Sequence, residues 1–428
     1  MNKKLFPILS AFLLLFSLIE KGQATETYRP ETSVAGFIQL PGSGRQVYNF
    51  NPGWRFFKGD IHGAESVDFD DRSWTIVSTP HTVELMPAEA SGCRNYQGPA
   101  WYRKHFVLPA ETKGKRVLIH FEAAMGKQVL YLNGKRIQEH VGGYLPFTLD
   151  LTTNGIQAGD SCLLAIFVDN SNDKSFPPGK PQYTLDFAYH GGIYRDVWMI
   201  AKSPVSITDP LDSQTVAGGG VFVHFDKISE KSAQVYVNTE LQNDNQHTET
   251  VTVETTLTDA DGKVIKRTSG KLSLKSGEKK IIRQQIEVKS PKLWSPDAPY
   301  LYKVQSRIKK GNQSIDGGIT RIGIRLAEFR GKDGFWLNGK PFVQLVGVNR
   351  HQDFAYVGNA LPNSQQWRYA KRLRDAGCTI IRVAHYPQDP SFMDACDELG
   401  MFVIVATPGW QYWNKDVKFG ELVHQNTR

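Results

Sequence analysis

Five polar residues stand at the ends of two apolar runs. Asn349, Arg350 and His351 close the run that begins at Pro341, while Arg382 and His385 close the run from Thr379. Arg382 sits inside an apolar segment, so its guanidinium must meet an acid or reach solvent at the segment's end. In a parallel α/β sheet or barrel, the C-terminal edge of the strands is where chemistry is done, whatever the reaction. Bland readings compete with this one. His351 could cap a loop, Arg350 could fix the strand end, and Arg382 and His385 could serve ordinary salt-bridging within the barrel.

The elements that position these residues follow from the pattern. Strands are expected over 342–348, 379–384 and 401–406, with a helix in each gap, which makes a parallel βαβαβ unit. The first helix is expected from Asn363 or Ser364 to about Ala376, with Trp367, Ala370 and Leu373 on one face and Gly377 as its stop. Asp389 as N-cap, Pro390 in the first turn and Gly400 past the end mark the second. Its buried face is Phe392, Met393, Cys396 and Leu399. A hairpin over 335–340 leads into the first strand, and Glu421 falls in a third helix.

Everything before this unit reads as β. Alternating runs at 117–123, 128–134 and 163–170, with a tight hairpin signal at Asn133-Gly134, imply a two-sheet jelly-roll sandwich. Trp54, Trp74, Trp101, Tyr102 and Trp198 belong mostly to its packing. A second set of strands at 221–225, 233–242, 250–258, 280–288 and 300–308 fits an immunoglobulin-like β-sandwich that spaces and braces. The expected order is a leader at 1–24, a jelly-roll domain at 25–203, an immunoglobulin-like sandwich at 204–326, and the start of an α/β (β/α)8 barrel at 327–428.

Lys3 and Lys4, the apolar block from Leu5 to Ile19, and Gly22-Gln23-Ala24 describe a secretory signal peptide cleaved after Ala24. The block falls short of the ~20 residues that span a bilayer, so export to the periplasm or outside is expected, with no membrane contact after cleavage. The formal charge of +8 includes three lysines and one glutamate of the leader, which leaves a mildly basic surface. No basic cluster interleaved with aromatics points to nucleic acid. Four cysteines (93, 162, 378 and 396) are too few and scattered for a disulfide scaffold or a zinc site, so core thiols are expected.

Several phrases carry a resemblance. They are Trp101-Tyr102-Arg103-Lys104, Gly191-Gly192-Ile193-Tyr194-Arg195-Asp196-Val197, and Leu293-Trp294-Ser295-Pro296 with Pro299-Tyr300-Leu301-Tyr302. To these add 335–340, Gly347-Val348-Asn349-Arg350-His351, and Arg382-Val383-Ala384-His385-Tyr386-Pro387. In this order they resemble glycoside hydrolase family 2, which includes β-galactosidases, β-glucuronidases and β-mannosidases. The resemblance implies retaining hydrolysis of a β-glycoside by two glutamates, an acid/base and a nucleophile. Both belong near the ends of the fourth and seventh barrel strands, and only three strands are expected here. The two glutamates are therefore expected beyond Arg428, and the chain alone is expected to be inactive.

The resemblance also implies roles. His351 would hydrogen-bond sugar hydroxyls, Arg382 would pair with the nucleophile, and His385 would stabilise charge or hydroxyls. Asn349 belongs to the same phrase. Asp186 would reach in from the first domain, although a loop Asp is often a turn residue. Trp410, Tyr412 and Trp413 would stack on a sugar or pack. Where relatives commonly carry an acidic pair, this chain has Val405-Ala406-Thr407-Pro408, so no metal is expected. No organic cofactor is needed. The substrate expected is a carbohydrate, a β-galactoside of an oligo- or polysaccharide, and a homo-oligomer is compatible. A non-catalytic carbohydrate-binding or remnant protein, or one half of a split hydrolase, would carry the same residues.

Overall fold

The computed structural model describes residues 31–32, 39–86, 95–211, 213, 218–342, 345–409 and 412–427. The expected leader, Cys93 and Trp410 lie outside these residues.

The first domain is a sandwich of two antiparallel sheets. One runs Glu31–Thr32, Gln46–Asn49, Val197–Lys202, Arg116–Phe121, Phe147–Asp150. The other runs Thr75–Val77, Trp54–Lys58, Pro99–Val107, Ser161–Asp169, Gly126–Leu132, Lys135–Gly142. Alternate residues of both sheets meet in a core around Trp54, Tyr102, Phe106, Phe121 and Ile166. The Trp101–Lys104 phrase is wholly buried. Arg103 reaches Asp71 at 2.7 Å, and Lys104 donates to the Phe50 carbonyl at 2.7 Å beneath the Phe50 and Trp54 rings. These buried groups tie the strands of the sandwich together and take no part at the surface.

The second domain pairs Ser232–Asn243 with Val205–Ile207, Val221–Asp226 and Lys279–Lys289. It stacks that sheet on Val264–Leu274, Glu249–Thr258, Tyr302–Lys310 and Gln313–Ile322. Three of these strands, Val205–Ile207, Val264–Leu274 and Gln313–Ile322, escaped the sequence reading. Val264–Leu274 is mostly exposed and rich in Lys and Arg, so it lacks an apolar alternation to detect. Asp316 ties the first two domains together: it is fully buried, is held by Arg45 at 2.8 and 2.9 Å, and also accepts from the Ile207 amide.

The third region is the expected parallel unit. Gly347–Arg350, Ile380–Val383 and Phe402–Val405 form a three-stranded parallel sheet. Helix α1 (Asn363–Asp375) and helix α2 (Pro390–Leu399) pack on one face against Ile381 and Val383. The α2 ends follow the sequence signals: Asp389 accepts from the Ser391 amide, and Gly400 takes a left-handed conformation at φ 76°. A Cβ on Gly400 would fall 2.3 Å from the Pro296 carbonyl oxygen, so the second domain abuts this turn. Trp294 completes the brace by packing on Phe402 and donating to the Asp397 carbonyl at 2.9 Å.

Two expectations are corrected. The first strand starts later than 342, because Lys340–Pro341 pairs in the entry hairpin and the Phe342 amide closes it on the Phe335 carbonyl. Asn349 and Arg350 thus lie within the strand, and His351 follows it. Trp367 does not face inward; it is 40% exposed, and Gln366 takes the buried position beside Ala370. The reason is Arg350, whose guanidinium needs the Gln366 amide oxygen at 2.7 Å. Apolar periodicity cannot register a polar residue at the inner face. Cys162, Cys378 and Cys396 are buried free thiols.

Candidate functional site

The parallel register sets Asn349 opposite Arg382, and Arg382 opposite Ile404. Alternation turns these three away from the helices and into a shallow hollow. Arg382 Nη1 lies 3.5 Å from Asn349 Oδ1, a long contact that leaves the guanidinium reaching toward the open side. His351 and His385 stand just beyond, with ring centroids 5.3 Å apart at 71°.

The first domain supplies the opposite wall. Its segment around Leu185, Phe187 and Tyr189 packs with Tyr144, Tyr194, Ala360 and Tyr386 in one apolar cluster across the domain seam. Phe187 stacks on His351 at 4.6 Å and 28°, and Tyr144 lies flat on Tyr386 at 3.8 Å and 5°. The Tyr386 hydroxyl is 3.3 Å from His351 Nδ1. Because Leu185 and Phe187 point inward, Asp186 between them is exposed at the mouth. Its charge acts on both histidines. Asp186, His351, Arg382, His385 and Asn349 therefore gather at one place from two domains.

Burial sets the electrostatics. It pushes His351 below its ordinary value, and Asp353 and Asp186 oppose this. Burial, with the charges of His351 and Arg382, takes His385 down to about 4. Both rings are neutral near pH 7, so each can donate through one nitrogen and accept through the other. Asp353 faces His190 at 3.8 Å and is held low by that partner against its own desolvation.

Arg350 is not part of the mouth. It is 2% exposed, bonded to the Gln366 and Gln388 amide oxygens, and lies over the Phe392 and Tyr369 rings at 3.9 and 4.6 Å. Tyr412 packs against Gly179 and Phe419, whereas Trp413 is 62% exposed with its edge toward Phe419. Among the described residues no group of three or more His, Cys, Asp or Glu could hold a metal ion.

Phe187, Tyr386 and Arg195 escaped the sequence reading as builders of the site. A signal existed for Arg195 and Asp196: two adjacent charges in an aromatic run must find buried partners. Asp196 accepts from Asn51 in its own domain and from Asn363 at the start of α1, both at 2.9 Å. Burial and the Asp389 charge raise it to about 6, against the two amide donors. Nearby Glu122 is driven well above its usual value by burial, then by Asp389 and Asp196, with Trp198 and Arg195 opposing.

A carboxyl whose folded value exceeds its unfolded one contributes stability that is complete below the unfolded value, 3.8 for Asp196. That contribution disappears as pH rises through about 6. Asp196→Asn is expected to flatten the stability profile between pH 4 and 7, where each such group contributes at most about 1.4 kcal/mol per pH unit. Urea titrations across that range check it; a wild-type slope in the variant would refute the assignment.

Three family models match the chain in succession. The sugar binding domain of glycosyl hydrolases family 2 matches residues 64–204, the family 2 model residues 219–325, and the family 2 TIM barrel domain residues 329–424. A beta-galactosidase of Thermoanaerobacter pseudethanolicus is 36% identical over 375 residues, which is 86% of this chain and 47% of that protein. A beta-glucuronidase of Formosa agariphila is 33% identical over 381 residues, 86% of this chain and 38% of that one. The crystal structure of a Bacteroides uniformis beta-glucuronidase superposes with a TM-score of 0.80 at 30% identity, covering 89% of this chain and 44% of that chain. The chain thus spans less than half the length of these three proteins.

Proposed function

Since this chain belongs to glycosyl hydrolases family 2, we propose that it serves the retaining hydrolysis of β-glycosides and that the mouth described above receives the sugar. The convergence of Asp186 with His351, Arg382, His385 and Asn349 supports this reading. An exposed carboxylate and two neutral imidazoles suit the hydroxyls of a sugar ring. The Arg382 guanidinium suits a carboxylate nucleophile. Neither carboxyl role of the reaction is assigned to a residue of this chain. Within the class we favour β-galactosides, the substrates named for the Thermoanaerobacter relative. The proposal includes export, with the mature protein starting at Thr25.

The test is hydrolysis of 4-nitrophenyl β-galactoside and β-glucuronide by the protein as its gene encodes it. Retention at the anomeric carbon is read by NMR, and the exported protein's first residue by N-terminal sequencing. Faster turnover of the galactoside supports the reading in full. Faster glucuronide turnover keeps the class and overturns the sugar. Binding without turnover makes the protein a carbohydrate-binding module, and the absence of both binding and turnover overturns the proposal.

A further inference from the structure

One arginine of the first domain holds both loops that carry the histidines. Arg195 is 2% exposed, and its guanidinium donates to Gln352 Oε1 at 3.0 Å, to the Pro387 carbonyl at 2.7 Å and to the Tyr144 carbonyl at 3.3 Å. Gln352 is the residue after His351, and Pro387 is two residues after His385. All three acceptors are uncharged oxygens, so these bonds meet the cost of burying the cation through geometry rather than through an ion pair. A planar fork spreads its donors over several ångströms and so reaches three acceptors on three segments, whereas the donors of a lysine all radiate from one nitrogen.

The third acceptor extends the link. The Tyr144 that offers its carbonyl also lays its ring on Tyr386, whose hydroxyl faces His351 Nδ1. Every path from Arg195 into the barrel therefore leads to one histidine or the other. The adjacent Asp196 differs: it bonds Asn51 and Asn363, and so fastens the start of α1 instead of the histidine loops.

We infer that Arg195 is a positioning residue, which sets the spacing of His351 and His385 from the far side of the domain seam. The inference rests on the reading that these histidines meet the substrate, and it places control of the site in the domain that does not carry them. Loss of the fork frees two loops independently. The ring pair then samples separations other than 5.3 Å, and Phe187 and Tyr386 cover His351 less well.

Arg195→Lys tests this, with Asp196→Asn as a control that touches the same seam elsewhere. For Arg195→Lys, kcat/KM on 4-nitrophenyl β-galactoside should fall about tenfold or more, mainly in kcat, since misplacement of transition-state donors costs rate. Histidine ring titrations followed by NMR should move upward toward 6.5 for both His351 and His385 as burial is lost. Asp196→Asn should leave both titrations and kcat/KM within about twofold of wild type. If Arg195→Lys lowers Tm but leaves ring titrations and rate unchanged, Arg195 is only glue and the inference fails. If the wild-type protein hydrolyses no β-glycoside, the functional reading fails, and the titrations alone still decide the role of Arg195. Should Arg195→Lys not fold, Gln352→Met removes one arm and should move His351 more than His385; equal or absent shifts overturn the inference.

Discussion

His385→Ala is expected to lower kcat/KM for an aryl β-galactoside about 100-fold or more, in the protein as its gene encodes it, while the fold persists. Burial, with the charges of His351, Arg382 and Lys180, lowers the ring to about 4, so in the proposed reaction it would act as a fixed neutral hydrogen-bonding group. Such a group, aimed where charge develops, is worth most in the transition state, so the loss should fall on kcat more than on KM. Arg382→Ala should cost a similar factor. Its guanidinium has only a 3.5 Å contact with Asn349 among its described side-chain bonds, so little folding energy depends on it. Arg382→Lys should recover part of the rate, because charge survives where the two-pronged geometry does not. The pH–rate profile should show no limb near 6.5 arising from His385. Wild-type kcat/KM in both alanine variants would remove these residues from the site.

The second large effect is on stability. Arg350→Ala is expected to cost about 3–4 kcal/mol, from lost cation–π contacts and from amide groups left without a buried partner. The guanidinium lies 3.9 Å from the Phe392 centroid and joins Gln366 of α1 to Gln388 beside α2. Burial lowers its pKa to about 10, so it stays charged at neutral pH despite having no carboxylate bonded to it among these contacts. Removal leaves two amide oxygens without their donor and a void beneath Phe392, and the freed desolvation energy of the charge offsets only part of this. Hydrogen exchange of the Ile380–Val383 amides in increasing urea reports on this part of the barrel; a change below about 0.5 kcal/mol would show that the helices hold the strand unaided.

The sequence carried the architecture because apolar alternation and helix caps are local. Asp389, Pro390 and Gly400 mark α2 by themselves, and Asn133-Gly134 marks its hairpin in the same way. It carried the strand-end histidines and Arg382 because the C-terminal edge of a parallel sheet follows from strand order alone. What it did not carry was the wall opposite. Phe187 and Arg195 act through partners far along the chain, and 192 residues separate Arg195 from Pro387. Trp367 shows the same limit on a smaller scale: a tryptophan stayed outside because a buried guanidinium called a glutamine in.

The stacked Tyr144–Tyr386 pair and the Phe187–His351 contact make the mouth a gap between two bodies rather than a hole in one. A glycan seated there would touch both bodies at once and act as a clasp. Its binding free energy would then oppose their separation as well as hold the sugar, adding about 2.7 kcal/mol to the seam at a concentration one hundred times Kd. By the same linkage, whatever loosens the seam would weaken the grip on such a glycan, even when no residue that touches it has changed.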